Sequence, residues 1–297
     1  MAVLALDIGA TKFAAGVLDE GPRVRDVQVL AVPQQNAWET CRGLLLSVAG
    51  NAEVTAVGIG SAGPVDVPAG VTAPLNIPEW NAGFPIVDAV GELFPRAEIR
   101  FAVDGACLVL AEHYLGGLRG VRNGLAMTVS SGIGGGIIVD GRVAGGQTGN
   151  AGHVGHIVVP GSEDPCGCGG VGCVEAVASG MSSVRWARSQ GWGGDSGLEL
   201  ARAAHAGEPI AVAALARAGT ALGQAISSAA ALLDIDRVVI GGGFSESGAP
   251  LWDPMRAAIA RHARLGFLRD LRVLESRIRN GATLVGAGIL AGAHADG

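Results

Sequence analysis

Apolar runs broken by short polar and glycine-rich turns organise this chain. Leu4-Ala-Leu-Asp7-Ile-Gly9-Ala10-Thr11-Lys12-Phe-Ala-Ala-Gly16-Val-Leu-Asp19 reads as strand, turn, strand. Leu125-Ala-Met-Thr-Val-Ser130-Ser131-Gly132-Ile-Gly134-Gly135-Gly136-Ile-Ile-Val-Asp140-Gly141 reads the same way. Each unit is a β-hairpin whose small turn residues leave room to wrap an anion. Its recurrence at a long spacing predicts two similar α/β domains facing each other. Between the hairpins the pattern predicts a buried strand over 54–60, a Pro/Gly/Asn-rich loop over 61–85, a short strand over 99–103 and a helix over 105–114. Beyond them it predicts a Cys/His loop, helical segments over 175–233, a strand over 237–240 and a final apolar helix over 282–293.

Composition narrows the class. Of 297 residues, 49% are hydrophobic and 16% charged, so a large core is available and disorder is not expected. The 49 glycines cluster beside apolar runs without a fibrous period, which suggests backbone closely approaching a ligand. A net charge of −6, with Lys12 the only lysine, argues against a nucleic-acid partner. The N-terminus runs straight into a strand without a signal-peptide pattern, and apolar stretches break before 18 residues, so a cytoplasmic protein that does not enter a membrane is expected.

The motifs carry chemistry at specific places. Asp7, Gly9, Ala10, Thr11 and Lys12 combine a carboxylate able to hold Mg²⁺ through water with a turn whose N–H groups suit phosphate. Ser130, Ser131, Gly132, Gly134 and Gly135 form a second such turn. Neither is a G-x-x-x-x-G-K-[ST] loop, and each alone also reads as an ordinary hairpin turn. Gly241, Gly242 and Gly243 end a strand where a purine or ribose could lie on bare backbone, or where a tight turn is all that is needed. Asp104, between strand and helix, suits a general base, and by position alone suits a helix N-cap better. His156 with Cys166, Cys168 and Cys173 matches a closed Cys₃His zinc site, structural because no ligand position stays open. His153 competes for the histidine position.

Together these residues resemble the ROK family of the hexokinase/actin-like ATPase superfamily, along nearly the whole chain. The resemblance rests on Asp7–Lys12, Gly60-Ser-Ala62-Gly63-Pro-Val-Asp66, Asn76-Ile-Pro-Glu-Trp80, Asp104, Gly132–Gly136, the Cys/His cluster with Glu175, and Gly241–Gly243. It implies two actin-like (ribonuclease H-like) α/β domains around a central cleft. The expected division is 1–105 plus a C-terminal helix over 282–297, and 106–281 with a zinc-binding loop over 153–175. It further implies an ATP- and Mg²⁺-dependent sugar kinase, a homodimer, Asp104 as base toward a primary hydroxyl, and sugar contacts from His156 and Glu175. Ala62, Gly63 and Asn76 would line the same pocket. No helix-turn-helix precedes the first turn, which favours a kinase over a repressor.

The sugar side departs from the family pattern. Val103 stands where Asn usually precedes the base, Ala106 replaces a second Asn, and His153 replaces a carboxylate in Glu-x-Gly-His. Unmatched polar groups in a pocket cost about 1–3 kcal/mol each and shift selectivity strongly. The expected acceptor is therefore a hexose, amino sugar or sugar-like cyclitol rather than plain glucose. A catalytically silent sugar-binding regulator is the competing reading. A zinc hydrolase is disfavoured by the closed ligand set.

Overall fold

The computed structural model describes residues 1–19, 21–278 and 281–292. In chain order the first elements are β1 (Ala2–Ile8), β2 (Lys12–Leu18), β3 (Val24–Ala31), α1 (Ala37–Ala49), β4 (Val54–Ser61), β5 (Val65–Asp66), β6 (Val71–Thr72), α2 (Ile86–Leu93), β7 (Glu98–Val103) and α3 (Asp104–Leu115). They continue with β8 (Gly124–Val129), β9 (Ile133–Val139), β10 (Arg142–Val143), α4 (Val174–Ala178), α5 (Gly180–Ser189), α6 (Gly197–His205) and α7 (Pro209–Leu233). Last come β11 (Arg237–Gly241), α8 (Ala249–His262), β12 (Arg272–Glu275) and α9 (Ala282–Gly292). The terminal-helix expectation past residue 292 lies outside the described residues.

By internal contact the chain forms two compact units. One holds Met1–Gly120, Gly136–Gly152 and α9; the other holds Val121–Gly135 and the chain from His153 to the end of the described segment at 278. Two five-stranded sheets have matching orders, β3-β2-β1-β4-β7 and β10-β9-β8-β11-β12. In each, an antiparallel hairpin edge continues into parallel strands. This shared topology is the internal repeat that the two hairpin sequences announced.

In the first unit the parallel strands end in register: Asp7 lies beside Gly60, and Gly60 beside Ala102. Asp7, Ser61 and Asp104 therefore emerge at one edge, the carboxyl ends of β1, β4 and β7, where α/β sheets hold their ligands. A core of Leu4, Leu6, Ile8, Phe13, Leu44, Leu45, Ile59 and Trp80 backs that edge. Small residues let α9 close on it. A Cβ on Gly286 would fall 1.7 Å from the Cys107 carbonyl oxygen, and one on Gly58 1.8 Å from that of Ala287.

In the second unit Gly241 pairs with Thr128, so the ends of β8 and β11 emerge together. Helix α7 runs 25 residues and packs against α4, α5, α6 and α8. By length and mean hydropathy alone it could cross a membrane, though Arg217, Gly219 and Gly223 interrupt its apolar run before 18 residues. Its apolarity has another cause, because 61% of its most apolar window is buried inside this unit. Its Arg217 pairs with Asp164, donates to the Val177 carbonyl at 3.1 Å and lies 5.5 Å from the Trp186 ring.

Candidate active site

On the first unit, the turn between β1 and β2 closes with the Gly9 amide donating to the Lys12 carbonyl at 3.0 Å. Its tip, Ala10, Thr11 and Lys12, is exposed. The Asn76 amide donates to the Ala10 carbonyl, so the 76–80 loop buttresses this turn. Trp80 anchors that loop, stacked between Phe13 at 5.9 Å and Phe84 at 4.6 Å. Ala62 extends the edge, donating its amide to Ile8 at 2.7 Å, and Gly63 follows.

Two carboxylates share this edge. Asp7 is pushed up to about 7, first by burial, then by the charge of Asp104, with Lys12 pulling it down. The same causes, burial first and then Asp7 and Asp104, raise the Cys107 thiol and keep it neutral. Asp104 is the first residue of α3, and Val103 in extended conformation occupies the cap position. The position-based reading of Asp104 as the cap is therefore off by one residue. Its Oδ1 accepts from the Gly105 amide at 2.7 Å. Val103 and Ala106 pack into the core at 2% and 6% exposure, so they offer an acceptor no hydrogen-bonding group. Gly136 is needed here, because its Cβ would lie 2.0 Å from the Gly105 carbonyl oxygen.

On the second unit, Ser130 and Gly132 close the turn between β8 and β9 at 2.9 Å. The Ile133 amide donates to Glu175 Oε2 at 2.7 Å, and a Cβ on Gly132 would meet the same oxygen at 2.8 Å. Glu175 thus shapes this turn directly. The Gly180 amide, opening α5, donates to the Ser130 carbonyl at 2.7 Å. Gly134 and Gly135 continue into β9.

Beside the turn lies a cavity of about 900 Å³ lined by Ser130, Ser131, Met181, Leu198, Gly243 and Phe244, among others. Its volume suits a nucleoside. The three glycines after β11 divide between the two roles read from sequence. Gly242 (φ 97°) makes the tight turn, and a Cβ there would strike the Val129 carbonyl oxygen at 2.6 Å. Gly243, with open space at its Cβ position, lines the cavity. Met181, Leu198 and Phe244 were not singled out by sequence. Phe244 follows the triple glycine directly, and Met181 follows the Ser179 cap of α5, and those two signals were available.

Of the two histidines, His156 is the one that stands in the candidate metal cluster. His156, Cys166, Cys168 and Cys173 bring their donor atoms within 4.8 Å of one another. The Cys168 and Cys173 sulfurs lie 3.8 Å apart, and Cys166 Sγ lies 3.7 Å from His156 Nδ1. A tetrahedral site with Zn–S bonds of ~2.3 Å has sulfur–sulfur edges of ~3.8 Å, so the residues fit the metal. His153 stacks on His156 with ring centroids 6.0 Å apart and is outside the ligand cluster. Gly155 between them is required, since its Cβ would sit 2.1 Å from the Ile133 carbonyl oxygen.

Residues 3–294 match the ROK family model. A glucokinase of Streptomyces coelicolor is 32% identical over 97% of this chain and 96% of its own. An N-acetylmannosamine kinase of Citrobacter koseri is 31% identical, covering 98% and 99%. A ROK family glucokinase from Streptomyces griseus, solved in complex with glucose and AMPPNP, superposes with a TM-score of 0.84 at 29% identity over 98% of this chain and 99% of that one. The matching two-sheet fold and these relatives define the class as an ATP-dependent sugar kinase on the actin-like fold. Within that class, the chain belongs to the ROK family.

Proposed function

We propose that the enzyme transfers the γ-phosphoryl group of ATP to an exocyclic primary hydroxyl, with Asp104 as general base. The acceptor is a hexose, an amino sugar or a cyclitol bearing a hydroxymethyl group. The observation that carries this reading is the placement of Asp104 at the carboxyl edge of β7, beside Asp7 and the first turn. Asp104 takes the hydroxyl proton while the alkoxide oxygen bonds to phosphorus and the bond to the β-phosphate oxygen breaks, releasing ADP. Asp7 would hold Mg²⁺ through water, and that cation supplies charge neutralisation on the phosphate oxygens when bound. Ser130, Ser131 and the small residues of both turns offer donors to the phosphates, and the cavity bounded by Met181, Leu198, Gly243 and Phe244 takes the nucleoside.

On the acceptor side, His156 bound to zinc through Nδ1 keeps Nε2–H as a donor for a sugar hydroxyl. Glu175 has one carboxylate oxygen held by Ile133 and the other to offer. Val103 and Ala106 provide no such group, and His153 stands where the family has a carboxylate. That supports an acceptor with a recognition pattern different from glucose, N-acetylmannosamine being one relative's substrate.

The test is an ADP-release screen of the wild-type protein over hexoses, amino sugars and cyclitols, followed by Asp104→Asn on the best acceptor. General-base loss lowers kcat by about 10²–10⁴-fold while KM for ATP stays close to wild type. Normal turnover by Asp104→Asn removes Asp104 as the base. Acceptor binding without ADP release across the panel establishes a silent sugar-binding protein instead.

A further inference from the structure

The second unit holds another cavity that the kinase chemistry does not use. It occupies about 480 Å³ and is lined by residues of α8, β12 and the segment joining them. None of its lining residues is shared with the nucleoside-sized cavity. Along α8 and its C-cap, Arg256, Ile259, Ala260 and Ala263 recur at the spacing of one helical face. Leu268, Leu271 and Val273 add apolar lining, and Arg264 and Arg269 line the cavity with Arg256.

The electrostatics of this place run against those of the whole chain. Residues 256–278 carry six arginines and two acidic residues, within a protein of net charge −6. No acidic side chain lines the cavity. Arg256 is held in place, paired with Asp253 at 3.3 Å and lying 5.3 Å from the Trp252 ring. Arg264 and Arg269 form no ion pair among the described residues. Arginines lining one cavity with only one acidic partner among them leave positive charge there that an anion would balance. Their planar fork matches phosphate bidentately, which an ammonium does not.

We infer that this cavity binds a small organic phosphate, its phosphoryl group held by Arg264 and Arg269 and its carbon body seated on Ile259, Leu268, Leu271 and Val273. The apolar lining distinguishes such a ligand from inorganic phosphate, which has nothing to bury.

Calorimetric titration of the full-length protein with glucose 6-phosphate, and separately with inorganic phosphate, tests the assignment. The paired variant Arg264→Gln/Arg269→Gln changes exposed residues and leaves both turns, Asp104 and the zinc ligands untouched. The organic phosphate is expected to bind the paired variant at least about tenfold more weakly than wild type, with sugar-kinase turnover in its absence unchanged. A sugar phosphate held only as product at the reaction site binds both proteins equally, and that result overturns the inference. Equal affinity for inorganic and organic phosphate overturns it as well, since the apolar lining then contributes nothing. Should the paired variant fail to fold, Arg269→Lys carries the test. It retains the charge but loses the fork, so a weakening of about threefold is expected and an unchanged Kd overturns the assignment.

Discussion

Gly286→Ala and Gly91→Ala are the same chemical change in two helices, and the structure assigns them opposite signs. Replacing a helical glycine by alanine ordinarily stabilises by about 0.5–1 kcal/mol, because the unfolded chain loses freedom. At Gly91 in α2 a new Cβ meets nothing within 4 Å, so the full gain is expected. At Gly286 in α9 the Cβ would lie 1.7 Å from the Cys107 carbonyl oxygen and 2.4 Å from its carbon. Both are backbone atoms of α3, so no rotamer change relieves the clash and the two helices must move apart. Overpacking of this kind costs about 1–3 kcal/mol, occasionally more, and the helix-propensity gain offsets only part of it. For a unit of this size 1 kcal/mol corresponds to roughly 2–4 °C in Tm. Thermal unfolding followed by circular dichroism should show Gly91→Ala rising by a few degrees and Gly286→Ala falling by several. Because α3 begins at Asp104, Gly286→Ala should also lower kcat. A Gly286→Ala protein as stable and active as wild type would refute the claim that close backbone contact between α9 and α3 sets the position of the base.

Two further outcomes follow from the titrating and metal-binding groups. Folding raises Asp7 from 3.8 to about 7, so the folded state binds more protons between those values and loses stability as pH climbs through that window. Asp7→Asn removes this dependence, and its Tm advantage over wild type should grow from pH 5 to pH 8; an advantage independent of pH rules out the raised carboxyl. Removing zinc with a chelator, or Cys173→Ser, should lower the Tm and abolish turnover together, with readdition of zinc restoring both only in the chelated wild type. Full activity in metal-free protein would show that the loop folds without the ion.

The features read most directly from sequence were those carried by local pattern. Both hairpins, β4, β7, α3 and the strand before Gly241 stand where apolar runs meet glycine or Asp. β3 was not readable because it is an edge strand exposed along nearly its whole length, so no alternation of apolar and polar positions marks it. α8 carries Pro254 inside its first half, a residue that breaks a helix pattern when only the sequence is in view. The choice of His156 over His153 needed three dimensions, since both lie within one short turn and only one directs a nitrogen at Cys166. The role of Val103 was half legible: its apolar identity stands in the sequence, and its 2% exposure could come only from packing. The arginine-lined cavity was invisible for the same reason, because Arg256 on a helix, Arg264 in the loop after it and Arg269 in a turn line it together only once the chain is folded.

The Cys/His loop is joined to the second turn through two neighbours in sequence, which would give a metal bound there a wider role than pinning its own segment. Cys173 is the cap residue of α4, and Glu175 stands in that helix's first turn. A metal that fixed Cys173 would therefore fix where Glu175 starts, and Glu175 Oε2 in turn accepts the Ile133 amide at 2.7 Å. On the other side of the cluster, Gly155 presses the His153–His156 turn against the Ile133 carbonyl. The amide and carbonyl of one residue in the Ser130–Gly136 turn are thus approached from opposite ends of the same loop. Arg217 holds that loop to α7 through Asp164, whose backbone carbonyl accepts from Gly172 at 2.9 Å next to Cys173. A turn this rich in glycine has no stiffness of its own. Its geometry comes from Glu175 and Gly155, so a metal held by the four candidate ligands, though it would have no open position for chemistry, would set the shape of the turn proposed to bind phosphate.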